Sequence, residues 1–465
     1  MLCPWIRAAS GKTDLASLAG VFYALFLLYA VARLFRKSTS GAVDFIVASR
    51  GLTLPAFTAS LVTTWYGGIL GVGEYTFSYG ISNWLVFGVP YYLYAAVFAL
   101  FIAARARRSE VLTVPDLLEA NFGRPAALAG AGMMFIMTVP AAYVLMLGVL
   151  FNFATGWPLW VGVVLGTALS VSYVYRGGLK AVVATDIIQF FLMFLGFLIL
   201  VPVCFYKFGG WEFLQANLPD GHFKWDGGLG VQAIAVWYFI ALSTLVEPAF
   251  YQRCFAAKTE KVARRGIFAA IGLWMVFDFL TTTAGLYARA LLPDLANPVQ
   301  AFPALAAHVL PPFLQGVFLV ALLATVMSTV DSYAFICAVT LGRDVVGRWR
   351  GNLDSDEEQS LPLIRISLTV TALLAVGMAL LSESVIELWK ILGSLGTPVL
   401  LGPLMLAHKG VRLESLGTAV VMIASGVVAG VWLLFGGGEP WLGVEAIFPG
   451  LLVSGVGLWW VSFRK

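Results

Sequence analysis

Apolar residues run along this chain in blocks of about twenty, separated by short polar stretches rich in Arg, Gly and Pro. A helix rises 1.5 Å per residue, so about 20 apolar residues cross the hydrocarbon of a bilayer. Thirteen such blocks occur, at 15–35, 55–80, 84–104, 126–151, 157–174, 184–206, 230–251, 266–291, 312–344, 362–382, 385–407, 416–436 and 444–462. The pattern predicts an all-α integral membrane protein with about 13 transmembrane helices. The first block is too long for the apolar core of a signal peptide and is closed by Arg33, Arg36 and Lys37, so it reads as a retained span.

Charge then orients the spans. Of the 29 Lys and Arg residues, 23 fall on alternate connections or on the tail, including Arg105, Arg107 and Arg108, Arg253 to Arg265, and Arg464 with Lys465. Cationic loops stay cytoplasmic, which places the N-terminus outside and the C-terminus inside. Opposite sides for the two ends require an odd number of spans.

Composition agrees with a lipid-facing surface: 60% of residues are hydrophobic and 12% charged, against about 25% charged in soluble domains. The basic residues are spread over seven cytoplasmic segments, which gives nucleic-acid binding no basis. Four scattered cysteines and three distant histidines support neither a zinc site nor a Ser/His/Asp set.

Polar residues inside the spans are few and informative. Gly67, Gly68, Gly71 and Gly73 cluster mid-span. Each glycine weakens a helix by about 1 kcal/mol, so they predict either a broken helix lining a cavity or a close-packing face. In block 312–344, Ser328 and Thr329 precede Asp331 and Ser332. Their oxygens suit a small hard cation, and back-bonding to the preceding turn is the competing use. Asp186 lies near a helix start, where the dipole favours it. Asp278 is the deepest acid and is a candidate for solute contact or proton coupling. Glu387 and Lys390 can pair at i, i+3, and Glu247-Pro248 reads as shaping the inner end of its span.

Five motifs in order resemble the sodium:solute symporter family. They are Thr64-Trp-Tyr-Gly-Gly68, Leu112-Thr-Val-Pro-Asp-Leu-Leu-Glu119, Arg176-Gly-Gly-Leu-Lys-Ala-Val-Val-Ala-Thr-Asp-Ile-Ile-Gln189, Gln252-Arg-Cys-Phe-Ala-Ala-Lys258 with Ala263-Arg-Arg-Gly266, and Met327-Ser-Thr-Val-Asp-Ser332. The resemblance implies a five-plus-five inverted-repeat core at 55–407, with halves 55–206 and 230–407. Residues 1–54 would form a peripheral helix and loop, and 408–465 two further peripheral helices. It also implies alternating access and a coupling Na+ held by the carbonyls of Thr63, Tyr66 and Thr325 and the hydroxyls of Ser328 and Thr329. Some relatives hold a second sodium, here corresponding to Asp186, Ser328, Asp331 and Ser332. Asp331 stands where the sialic acid type has Ser. Solute-binding residues do not carry over, and Trp65, Gly68, Tyr238, Ser243 and Asp278 are the cavity-lining candidates.

The expectation is a non-enzymatic, multi-pass transporter of the cell (inner) membrane that imports a small polar solute with sodium. Two alternatives stay open from sequence: proton coupling through Asp278 or Asp331, and a membrane solute sensor acting with a separate signalling partner. The solute and the oligomeric state are left open.

Overall fold

Burial sorts the apolar blocks into a central set and a lipid-facing set. The computed structural model describes residues 41–351, 357–381, 385–438 and 440–463, without the side chains of 357–359 and 385–390. The block expected at 15–35 and the side chains of Glu387 and Lys390 lie outside the described residues.

The chain is nearly all helical. Its main helices are α1 (Leu54–Trp65), α2 (Ile69–Tyr79), α3 (Val89–Phe101), α4 (Val114–Phe122), α5 (Arg124–Thr138), α6 (Ala141–Thr155) and α7 (Leu159–Phe208). They continue with α8 (Val231–Ile240), α9 (Pro248–Ala256), α10 (Glu260–Leu291), α11 (Pro312–Val339), α12 (Glu357–Leu381), α13 (Val385–His408), α14 (Ser415–Gly436) and α15 (Ile447–Phe463). Among the described residues, nine helical stretches are long and apolar enough to cross a membrane.

α11 is the hub. Every residue from Phe318 to Val339 is buried, as befits a helix that is apolar all round and surrounded by others. α14 has the opposite character, with Val420, Ile423, Val427 and Leu434 more than half exposed. Apolar side chains bare on a helix whose backbone bonds are internal are what lipid accepts.

Three interruptions shape the core. α1 and α2 are joined by the 3-10 turn Tyr66–Gly68. α8 and α9 are joined by the 3-10 stretch Ala241–Val246 and by Glu247, whose extended backbone caps α9 ahead of Pro248. The blocks expected at 157–174 and 184–206 meet with no loop between them. Instead α7 bends at Gly178, whose φ of +55° and ψ of −147° lie outside the helical region. A Cβ there would stand 2.5 Å from Phe45 O, so the bend also requires the missing side chain.

Candidate functional site

The first site grows from the α1–α2 interruption. In the 3-10 turn the Tyr66 N–H donates to Thr63 O and the Ile69 N–H to Tyr66 O. The helical ladder is thereby shifted, and carbonyls at the end of α1 keep lone pairs for other donors. Thr329 Oγ1 on α11 donates to Thr64 O at 2.8 Å and reaches Thr63 O at 3.5 Å. A Cβ on Gly67 would fall 2.2 Å from Thr329 Oγ1, so glycine is what lets α11 approach.

Thr63, Thr325, Ser328 and Thr329 have no exposed surface, and Tyr66 is 5% exposed. Thr325 Oγ1 bonds back to Ala321 O at 2.7 Å, and Thr63 Oγ1 bonds back to Ala59 O at 3.1 Å. Their hydroxyls are thus spent within their own helices. Ser328 and Thr329 behave differently, because both bonds cross to other helices: Ser328 Oγ donates to Asp186 Oδ1 at 2.7 Å.

A second polar cluster lies against the first. Asp186 Oδ2 accepts from Ser60 Oγ at 2.5 Å and pairs with Arg253 Nη2 at 3.5 Å, both partners of the ion pair having no exposure. Arg253 also donates to Thr64 Oγ1 (2.8 Å), Ser332 Oγ (2.5 Å) and Ser60 Oγ (3.2 Å). Asp331 accepts from the Tyr173 hydroxyl. Asp186, Ser328 and Ser332 thus come together, with a guanidinium among them.

Arg253 corrects the sequence reading, which counted it as a cytoplasmic loop cation. It sits on α9 and is wholly buried. Apolar neighbours on both sides, Tyr251, Cys254 and Phe255, were the available signal.

Beside these clusters is a cavity of about 160 Å³ between the two interrupted spans. Trp65, Gly68, Ser243 and Asp278 line it. Tyr238 does not: it packs on the small Tyr75, Val86 and Ile234 cluster, and its neighbour Trp237 lines the cavity instead. Successive helical residues point about 100° apart, so one position changes the face. Glu247, read as the inner end of its span, also lines the cavity, and it accepts from Tyr333 Oη at 2.8 Å. The Asp278 carboxylate accepts from the Tyr66 and Tyr92 hydroxyls. Trp274 is buried, with Nε1 donating to Val62 O at 3.4 Å.

The Leu112–Glu119 motif turns out to be structural. Thr113 and Asp116 form a capping box at the start of α4. Asp116 Oδ1 also accepts from Arg343 Nη1 (2.8 Å) and Arg348 Nη2 (2.7 Å). Burial pushes the Asp116 carboxyl up, but the two guanidiniums outweigh it and hold the group below its usual range.

The model of the sodium:solute symporter family matches residues 45–425. The osmoregulated proline transporter OpuE of Bacillus subtilis is 28% identical over 90% of this chain and 88% of its own. High affinity choline transporter 1 of Homo sapiens is 25% identical over 92% and 78%. The sodium/pantothenate symporter of Escherichia coli is 25% identical over 90% of each chain. Among solved structures, a substrate-bound, outward-open Na+-coupled sialic acid symporter shares the fold, with a TM-score of 0.81, 16% identity and coverage of 96% and 97%. A nucleobase-cation-symport-1 family transporter matches with a TM-score of 0.57, 13% identity and coverage of 90% and 95%.

Proposed function

The chain belongs to the sodium:solute symporter family, and from that premise we propose that it imports a small polar organic solute together with sodium by alternating access. The observation that carries this reading is the buried contact of Thr329 with the end of α1 and the glycine turn, beside Ser328, whose hydroxyl bonds to Asp186. Carbonyl and hydroxyl oxygens gathered at a helix break, away from water, are the donors a small hard cation takes.

We assign the transported ion to the carbonyls of Thr63, Tyr66 and Thr325 and the hydroxyls of Ser328 and Thr329. Sodium held there ties α1 to α11 and favours the state in which the two are joined. Its leverage is its difference in affinity between states, about 1–3 kcal/mol in coupled systems. Arg253 already supplies positive charge to Asp186 and Ser332. A second sodium on Asp186, Asp331 and Ser332 would be repelled by it, so the reading is one ion.

The proposal extends to the architecture. The core at 55–407 comprises two inverted five-helix halves, with about 13 spans in all, in the cell (inner) membrane with the N-terminus outside and the C-terminus inside. Supporting this, the opening span of each half is interrupted, at 66–68 and at 241–247. The named relatives carry a zwitterion, a cation and an anion, so they do not choose the solute.

Proteoliposomes carrying the purified protein test the coupling. Uptake of a transported solute should rise with an inward sodium gradient and be indifferent to a pH gradient at fixed sodium. Uptake driven by the pH gradient alone would replace sodium with a proton, on Asp278 or Asp331.

A further inference from the structure

The solute cavity has a one-sided charge. Glu247 and Asp278 both line it, and among the described residues no Lys, Arg or His does. Arg253 lies on α9, six residues beyond Glu247, and its guanidinium is engaged by Asp186, Ser60, Thr64 and Ser332. A carboxylate away from water needs a counter-charge or a full set of donors. Asp278 has donors, from Tyr66 and Tyr92. Glu247 also has two, but Tyr333 Oη at 2.8 Å and Ala249 N at 3.4 Å both approach the same oxygen, Oε1. Oε2 is left for a ligand.

The rest of the wall is aromatic. Trp65, Phe87, Tyr91, Tyr143, Trp237 and Tyr333 surround the space. Trp65 and Tyr91 meet edge to face at 5.4 Å, Phe87 and Trp237 at 4.8 Å, and Tyr143 lies 5.3 Å from Tyr333. Ring faces attract a cation, and more strongly when it is stripped of water. The start of α9 offers no replacement site for an anionic group, because the Glu247 side chain already caps it. At about 160 Å³ the cavity holds on the order of ten waters or one small organic molecule.

We propose that this cavity selects an organic cation, a quaternary ammonium or protonated amine, with Glu247 as its counter-charge and the aromatic wall around its head group. This rests on the reading of the chain as a symporter. An anion would meet two carboxylates in the cavity. A zwitterion would gain at its amine and lose at its carboxylate.

The test uses the full chain in proteoliposomes and three probes of matched shape: choline, its neutral isostere 3,3-dimethylbutanol, and the zwitterion glycine betaine. Tetramethylammonium and butylammonium widen the set of cations. Sodium-dependent uptake or binding of at least one cation is expected, with the neutral and zwitterionic probes weaker by about tenfold or more. Glu247→Gln should weaken cation binding by roughly tenfold or more while sodium binding to the same variant persists, which also reports that the variant is folded.

Equal binding of the neutral isostere, preference for the betaine, or no binding of any cation overturns the proposal. Sodium-dependent uptake of betaine or proline in place of the cations leaves symport standing and removes the cation. Cation uptake indifferent to sodium removes sodium symport and keeps the cation.

Discussion

The two interrupted spans do the same thing to the backbone by different means. The 66–68 turn is built from glycine, and its bare backbone lets Thr329 close to 2.8 Å from a carbonyl of α1. The 241–247 stretch ends in an acid followed by proline, and it presents a side-chain carboxylate to the cavity. A break made of glycine exposes main-chain oxygens, which suit a bare metal ion. A break closed by Glu and Pro exposes a charge that a larger organic group can share. Arg253 joins the two, because it stands on the helix after the second break and bonds to Ser60 and Thr64 on the helix before the first.

Removing that joint should have the largest effect. Arg253→Ala strands Asp186 without its cation in a site with no exposure. Breaking a buried pair costs about 3–5 kcal/mol, so thermal unfolding in detergent should shift strongly downward, and adding Asp186→Asn should recover part of the loss. An unchanged melting temperature for Arg253→Ala would mean that the two breaks are held together by something else.

A smaller effect separates the breaks. Gly67→Ala puts a Cβ 2.2 Å from Thr329 Oγ1, an overpacking worth about 1–3 kcal/mol. The half-saturating sodium concentration should rise by roughly tenfold, at 1.4 kcal/mol per decade, while solute affinity at saturating sodium stays near that of the parent. Loss of solute affinity with unaltered sodium activation would reverse the roles given to the two breaks.

What the sequence made legible follows the range of the interactions. The apolar blocks announce themselves because twenty residues of one character need no partner to be recognised, and α2, α3, α8 and α11 lie inside expected blocks. The glycine break is equally local, since Gly67 and Gly68 weaken their own helix. The hydroxyls of Ser328 and Thr329 were visible as polar atoms in an apolar run, but their partners on α1 and α7 were not.

Arg253 was misread, and the cavity-facing side of Glu247 went unseen, for the same reason. A cation or acid near the end of a span looks like an anchor at the surface. Its burial depends on groups far along the chain, here Asp186 and Ser60 for Arg253 and Tyr333 for Glu247. Tyr238 failed on rotation: the side chain facing the cavity from that turn is that of Trp237.

The central claim is that sodium sits between the first break and α11. The most direct measurement is equilibrium binding of radioactive sodium to the purified protein carrying Ser328→Ala and Thr329→Ala together, beside the parent. Both positions have no exposure, and alanine removes the hydroxyls without adding atoms. The account expects the parent to bind sodium saturably and the double variant to lose that binding, with its helical content unchanged. Saturable sodium binding of equal affinity in the double variant would contradict it.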